Sequence, residues 1–154
     1  MQSDHPTIAV FGLLNPALDY THRPAAYVVI TDAQGRIAAV KGKRHYFLPG
    51  GGSLPDETPE QTVRREVSEE LAMEVCDLRQ IGQAIQYFVA DDTHYQMEAV
   101  FFAAAFAGAA TGEGEHQLDW LNVEQVAAGF FHQCHVWACA QFTQGEHNSC
   151  DSQK

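Results

Sequence analysis

The sequence predicts an α/β layered domain. Runs rich in β-branched and apolar residues recur along the chain. One strongly signalled amphipathic helix stands among them, starting at Thr58. Two shorter helical segments follow the last such run. Strands, a helix, further strands and terminal helices are the order of a sheet covered on its faces.

Taken in order, residues 7–14, TIAVFGLL, read as a first strand or an apolar cover. Pro16 and Pro24 bracket an irregular link. Residues 25–31, AAYVVIT, are apolar and β-branched enough for a central strand. Asp32-Ala33-Gln34-Gly35 is a turn, and residues 37–40 return as its hairpin partner. Tyr46 and Phe47 follow, suited to core packing or to stacking on a base. Thr58 is a good N-cap, Pro59 fits the first helical position, and Gln61 completes a capping box. Val63, Val67 and Leu71 then recur every four residues as one apolar stripe.

Residues 75–89 read as extended structure interrupted near Gly82. Asp91-Asp92-Thr93 is a turn, and residues 95–106 form a long partner strand. Residues 107–114 are a small-residue loop, mobile by composition. Residues 117–121 read as a short strand containing Trp120. Asn122-Val123-Glu124-Gln125 is a second capping box, and residues 131–142 form the final helix. From Thr143 the chain is polar without an apolar anchor, so a mobile tail is expected.

The 154 residues suit a single domain with its core over about 24–142 and a tail at 143–154. The net charge of −11 argues against general binding to nucleic acid or anionic membranes, which needs a basic face. An anionic substrate must then be met by a metal or by a few local bases. Lys41, Lys43 and Arg44 supply three of the nine Lys and Arg residues. They read as a solvated hairpin end or as a phosphate contact beside the glycine turn. The N-terminus has no basic n-region, and Asn15 and Pro16 break its apolar run. No signal peptide or membrane span is read there, and a cytoplasmic protein is expected. His132, Cys134, His135 and Cys139 lie close in sequence, but their spacing matches no common zinc pattern.

Glu66, Glu69 and Glu70 stand at i, i+3 and i+4. On a helix such side chains are neighbours, about 5–6 Å apart at Cβ. Their stripe lies about a third of a turn from the apolar one, so one face can bury while the other lines a cleft. Like charges at this spacing cost about 0.2–0.5 kcal/mol each and oppose the helix dipole. Arg64 and Arg65 offset part of this. A hard divalent cation would offset more, because Mg²⁺ and Mn²⁺ prefer clustered oxygen ligands. From the triplet alone, a solvated acidic face is the alternative.

Gly51, five residues, Glu57, seven residues, then Arg65-Glu66-Val67-Ser68-Glu69-Glu70-Leu71-Ala72-Met73 resembles the Nudix box. That box reads G-x5-E-x7-R-E-U-x-E-E-x-G-U, with U a bulky aliphatic. Ala72 is the one departure, standing where the family has Gly. Leu48-Pro49-Gly50-Gly51 also resembles the family's usual lead-in.

The resemblance implies a Nudix-type α/β/α sandwich with a mixed central β-sheet. It implies a MutT-like hydrolase, in which water attacks a phosphorus of a nucleoside diphosphate linked to another moiety. Mg²⁺ or Mn²⁺ is the implied cofactor. By family position Glu69 and Glu70 are metal ligands, and Glu66 is a ligand or the general base. The Gly50 carbonyl completes the metal shell, and Arg65 orients the carboxylates. Glu57 acts structurally or through metal-bound water. Gly51, Lys41, Lys43 and Arg44 are the candidate substrate contacts. A further carboxylate often comes from the far side of the cleft, with Glu98, Glu113 and Glu115 as candidates.

Gly at position 72 would suit a left-handed residue ending the helix. With Ala there, either the helix runs one residue further or a strain of roughly 1 kcal/mol is accepted. The rival reading is a catalytically silent Nudix-fold nucleotide-binding or sensor module. Such a module would be expected to lose box carboxylates, and all are present here. The expected partner is a small-molecule diphosphate, with a homodimer left open. The leaving group is chosen by loops and pocket walls outside the box.

Overall fold

A computed structural model describes residues 8–142. Its strands are β1 (Ala9–Phe11), β2 (Thr21–Val29), β3 (Ile37–Lys41), β4 (Tyr46–Phe47), β5 (Gly50–Gly52), β6 (Val75–Ala90), β7 (Thr93–Phe106) and β8 (Leu118–Leu121). Its helices are α1 (Pro59–Leu71), α2 (Val123–Gly129) and α3 (Gln133–Gln141). The segment from Thr143, expected to be mobile, lies outside the described residues.

The larger sheet runs β1-β6-β7-β2-β5. It is mixed: β2–β7 and β1–β6 are parallel, while β6–β7 and β2–β5 are antiparallel. The central strands bury both faces, which is why they read as continuous apolar runs. On β2, Ala25, Tyr27 and Val29 enter one core while Ala26 and Val28 enter the other. On β7, Met97, Ala99 and Phe101 take the first side and Phe102 and Ala104 the second. Val63 and Val67 of α1 close the second core. Val126 of α2 and Cys134 and Ala138 of α3 close the first. The sheet is therefore sandwiched between helices.

The expected hairpin of residues 25–31 with 37–40 is a correction. β3 belongs to a second sheet of order β4-β3-β8, and only a single bridge, Thr31 to Ile37, joins the two runs. Both runs are apolar on both faces and need partners on both sides. β2 finds them in β5 and β7, and β3 in β4 and β8. The break near Gly82 is present as register shifts in the β6–β7 ladder. A Cβ at Gly82 would stand 2.9 Å from the Trp137 ring, so this glycine makes room for α3. Asp91 and Asp92 hold φ of 51° and 63°, the left-handed pair that a tight two-residue hairpin requires.

Candidate active site

The site is built on α1 and the glycine strand beside it. Thr58 caps the helix as expected: its Oγ1 accepts from the Gln61 amide at 3.2 Å, and the Thr58 amide donates to Gln61 Oε1 at 2.9 Å. Burial of Thr62, Val63, Val67 and Leu71 fixes the rotation of the helix and turns the carboxylate stripe toward β5. There the Gly50 amide donates to Glu70 Oε1 at 3.1 Å. Gly50 has φ +137°, and a Cβ on it would lie 2.2 Å from the Ala26 carbonyl oxygen. A Cβ on Gly51 would stand 2.8 Å from the Glu66 carboxyl carbon. The glycines thus let backbone and carboxylates approach closely.

Arg65 uses all of its guanidinium donors. Nε and Nη2 grip Glu57 at 2.7 and 3.0 Å. Nη1 donates to Glu66 Oε2 and Glu69 Oε1, each at 3.1 Å. Nη2 also reaches the Gly52 carbonyl at 2.9 Å. Glu57 further accepts from the Leu54 amide at 2.9 Å and the Thr62 hydroxyl at 2.8 Å. These partners, Arg65 foremost, pull the Glu57 carboxyl down to about 2. Glu57 is a fully partnered anchor for Arg65.

The other carboxylates are in the opposite condition. Burial first, then repulsion from Glu66, Glu115 and Glu69, pushes Glu70 up to about 8, against the Gly50 hydrogen bond. Burial likewise raises Glu66, with Arg65 opposing it. Among the described residues, no three His, Cys, Asp or Glu side chains converge closely enough to hold a metal ion as they stand. Glu66 and Glu69 are drawn to Arg65 instead. The donor set nevertheless fits a hard divalent cation in kind. It is all carboxylate oxygen, and burial beside like charges disfavours the anionic form of Glu70, which a bound cation would favour.

The candidate far-side carboxylates separate. Glu98 pairs with His22 at 2.8 Å and accepts from Gln96 at 3.0 Å, and it does not line the cleft. Glu113 is exposed. Glu115 lies near enough to act on Glu70, because its loop crosses the end of α1. That loop, expected to be mobile, is tied down by its amides. Glu115 and His116 donate to the Glu69 and Glu70 carbonyls at 3.0 and 2.9 Å, and Thr111 to the Ala72 carbonyl at 2.8 Å. Gly114 permits this, since a Cβ there would lie 2.1 Å from the Glu70 carbonyl oxygen. Ala72 accepts the strained alternative: it caps α1 in the left-handed region at φ 55°, ψ 39°.

A cleft of about 460 Å³ opens here, within the usual range for ligand sites. Gly50, Gly51, Gly52, Glu66 and Glu70 line one part of it. Phe47, Phe88, Tyr95, Phe131 and His132 line another. Lys41, Lys43 and Arg44 are exposed and do not line it, although Gly42 between them does. His116 does line it, and so does Arg23, missed in the sequence. Its guanidinium lies over Gly52, 3.2 Å from where a Cβ would stand, and acts electrostatically on both Glu66 and His132. The signal available was an arginine next to a central strand, meaningless until β2 lies beside β5.

The family model for the NUDIX domain matches residues 21–137. A relative, the RNA pyrophosphohydrolase of Hydrogenovibrio crunogenus, is 34% identical over 74 residues, 46% of this chain and 44% of that protein. The RNA pyrophosphohydrolase of Yersinia enterocolitica is 36% identical over 63 residues, 40% of this chain and 36% of that protein. The chain thus spans under half the length of these curated relatives. Among solved structures, a NUDIX hydrolase from Nitrosomonas europaea superposes with a TM-score of 0.67 at 14% identity, covering 82% of this chain and 92% of that one. A MutT NUDIX hydrolase from Burkholderia pseudomallei gives 0.63 at 24% identity, covering 80% and 99%. These likenesses share the fold, a mixed sheet between helices. With the family model covering most of the described residues, the chain belongs to the NUDIX family.

Proposed function

We propose that this chain is a metal-dependent pyrophosphohydrolase acting on a nucleoside diphosphate linked to another moiety. The observation that carries the reading is Glu70: a carboxylate buried among like charges beside a glycine strand in an open cleft. Glu66, Glu69 and Glu70 would hold Mg²⁺ or Mn²⁺, with a backbone oxygen of Gly50 completing the set. Such an ion neutralises phosphate charge and lowers the pKa of the attacking water. Arg65, pinned by Glu57, holds Glu66 and Glu69 in position. Arg23 offers a positive charge to a phosphate in the cleft, and the exposed Lys41, Lys43 and Arg44 add to it from outside. Gly51 lets Glu66 and the substrate share a narrow space.

A second reading concerns the substrate. The relatives are RNA pyrophosphohydrolases, which favours a diphosphate at an RNA end. The net charge of −11 weighs against a long polyanion. No helix among the described residues is long and apolar enough to cross a membrane.

The test is a panel of nucleoside triphosphates, sugar nucleotides, ADP-ribose, dinucleoside polyphosphates and 5′-triphosphate RNA, assayed with Mg²⁺ and with excess chelator. Hydrolysis that stops with chelator and returns with Mg²⁺ is expected. Full turnover in chelator overturns the metal dependence. No turnover of any compound, with binding retained, favours the silent module.

A further inference from the structure

Three cations stand apart from the pairings of the fold. Arg36 and Arg65 are paired with carboxylates, and Arg64 donates to the Val75 carbonyl at 2.9 Å. Lys41, Lys43 and Arg44 are exposed and have no ion pair among the described residues. In a chain of net charge −11, cations without a carboxylate partner call for an explanation. Asp119 stands opposite Ala39 on β8, two residues from Lys41 in the register. Its two oxygens are engaged by the Tyr46 hydroxyl and the Gln117 side-chain amide, each at 2.8 Å.

The backbone fixes where these cations stand. The His116 amide donates to the Glu70 carbonyl at 2.9 Å, and the next residue, Gln117, accepts from the Lys41 amide at 3.1 Å. The Gly42 amide closes the turn on the His45 carbonyl at 2.8 Å. A Cβ at Gly42 would lie 2.9 Å from that same oxygen, so the turn is tight. His45 sets its ring 5.3 Å from that of Phe131, and the Phe131 amide donates to the Tyr46 carbonyl at 3.0 Å. His116, Lys41, Lys43 and Arg44 therefore follow one another along a single rim, from the end of α1 to Phe131. His116, Gly42 and Phe131 line the cleft on which Glu66 and Glu70 open. The rim is basic and the floor acidic.

Charge and reach define what such a rim can hold. The side chains of Lys41, Lys43 and Arg44 do not line the cleft, so a group they hold belongs to a part of the substrate that protrudes from it. Cations presented on a tight turn bind phosphate through charge-assisted hydrogen bonds. An imidazole adds an N–H donor in either tautomer. The overall charge of −11 does not cancel this, because exposed charges more than about 8 Å away are largely screened at physiological salt. An uncharged sugar or alkyl group would leave the three cations in water as they are.

We propose that Lys41, Lys43 and Arg44, with His116 at the inner end, form a second anion subsite that takes a phosphate group carried by the substrate beyond its scissile pyrophosphate. The source of that phosphate is a phosphodiester of a nucleotide chain or a further phosphate of a polyphosphate bridge. The subsite rests on the pyrophosphohydrolase reading for the pyrophosphate in the cleft, but its test needs no turnover.

The full chain is titrated calorimetrically, with Mg²⁺, against ligands in which methylene groups replace the bridging oxygens, so that none is cleaved there. They are adenosine 5′-(α,β-methylene)diphosphate, its β-glucosyl ester, the same diphosphate joined through its 3′ oxygen by a phosphodiester to a second adenosine, and the bis-methylene triphosphate. At least one of the two phosphate-extended ligands is expected to bind at least about tenfold tighter than the glucosyl ester. Which of them does so identifies the source of the phosphate. The preference should shrink at least about threefold as salt rises from about 50 to about 200 mM. Lys41→Gln, Lys43→Gln and Arg44→Gln together should bring the ratio to within about twofold of one. Phosphate-extended ligands that bind no tighter than the glucosyl ester overturn the proposal, as does a preference that the triple variant keeps. Should that variant fail to fold, the parent decides: a preference that does not move with salt overturns the subsite. Diphosphates hydrolysed without any such preference overturn the subsite alone. The preference in a chain that hydrolyses nothing upholds the subsite and overturns the hydrolase reading.

Discussion

Glu57 and Glu70 belong to one motif and have opposite fates. Glu57 is held by Arg65 through two hydrogen bonds, and by Leu54 and Thr62. Glu70 has one backbone amide and three like-charged neighbours. One carboxyl is drawn down to about 2 and the other pushed up to about 8. The chain supplies everything that Glu57 needs as an anion and withholds it from Glu70. Carboxylates driven apart in this way mark the division between scaffold and chemistry. The contrast can be broken or sharpened by substitution and by pH.

The largest effect should follow from Glu70→Gln. The amide keeps the shape and can still accept from Gly50, but it is a poor ligand for a hard cation. A loss of at least about a hundredfold in kcat is expected, comparable to removing one main electrostatic stabiliser. Stability without metal should be little changed near neutral pH, where Glu70 is mostly protonated, and raised above about pH 8, where the variant lacks the repelled buried charge. Initial rates with Mg²⁺ beside thermal melting decide it. A variant turning over at the parent rate would return Glu70 to a merely buried carboxyl. Glu66→Gln and Glu69→Gln should also lose activity without losing stability.

Proton linkage comes next. Glu70 titrates near 4.5 unfolded and near 8 in the folded chain. The folded state therefore binds more protons between those values. The stability this contributes is fully present below pH 4.5 and is lost as pH rises through about 8. The loss is on the order of a few kcal/mol. Glu57 works the other way: its contribution is present above pH 4.5 and lost as pH falls through about 2. Metal-free protein should thus melt lower at pH 9 than at pH 6, and Glu70→Gln or saturating Mg²⁺ should remove most of that slope. An unchanged slope in the variant would assign it to other groups.

Glu57→Gln should give the mirror image of Glu70→Gln. The melting temperature should fall, because Arg65 loses its strongest partner. Activity should fall indirectly, by about tenfold to a hundredfold, as Arg65 ceases to hold Glu66 and Glu69 in register. Normal melting with abolished activity would instead place Glu57 among the groups acting directly on metal or substrate.

What the sequence disclosed and what it hid follow from range. The α1 start was legible because its cap, proline and four-residue stripe are all local. The β6–β7 hairpin was legible because Asp91 and Asp92 are turn residues between two long apolar runs. The partnership of β2 was not, since two runs buried on both faces do not state which sheet each joins. Arg23 gained meaning only when β2 lay beside β5. Glu115 could not be separated from Glu98 and Glu113 until Gly114 let its loop cross the end of α1. His132 read only as part of the final helix, because its unpartnered nitrogen is a property of its surroundings.

The smallest effect tests the one departure in the box. Ala72 holds a left-handed conformation while its amide donates to the Ser68 carbonyl at 2.9 Å and its own carbonyl accepts from Thr111. Both bonds are backbone bonds, so a glycine would keep them. Removing the Cβ relieves about 1–2 kcal/mol of left-handed strain. The added freedom of glycine in the unfolded chain takes back about 0.4–1 kcal/mol. Ala72→Gly should therefore stabilise by roughly 0.5 kcal/mol, with kcat within about twofold of the parent, since no catalytic oxygen moves. Ala72→Val should destabilise by about 1–3 kcal/mol, because a β-branched residue fits that region poorly. It should also loosen the Thr111 tie that keeps Glu115 near Glu70. Paired denaturant melts of the two variants, read with initial rates, check the argument. A glycine that destabilises beside a tolerated valine would show that the helix end is not strained at Ala72, and that the methyl group is kept there for its packing.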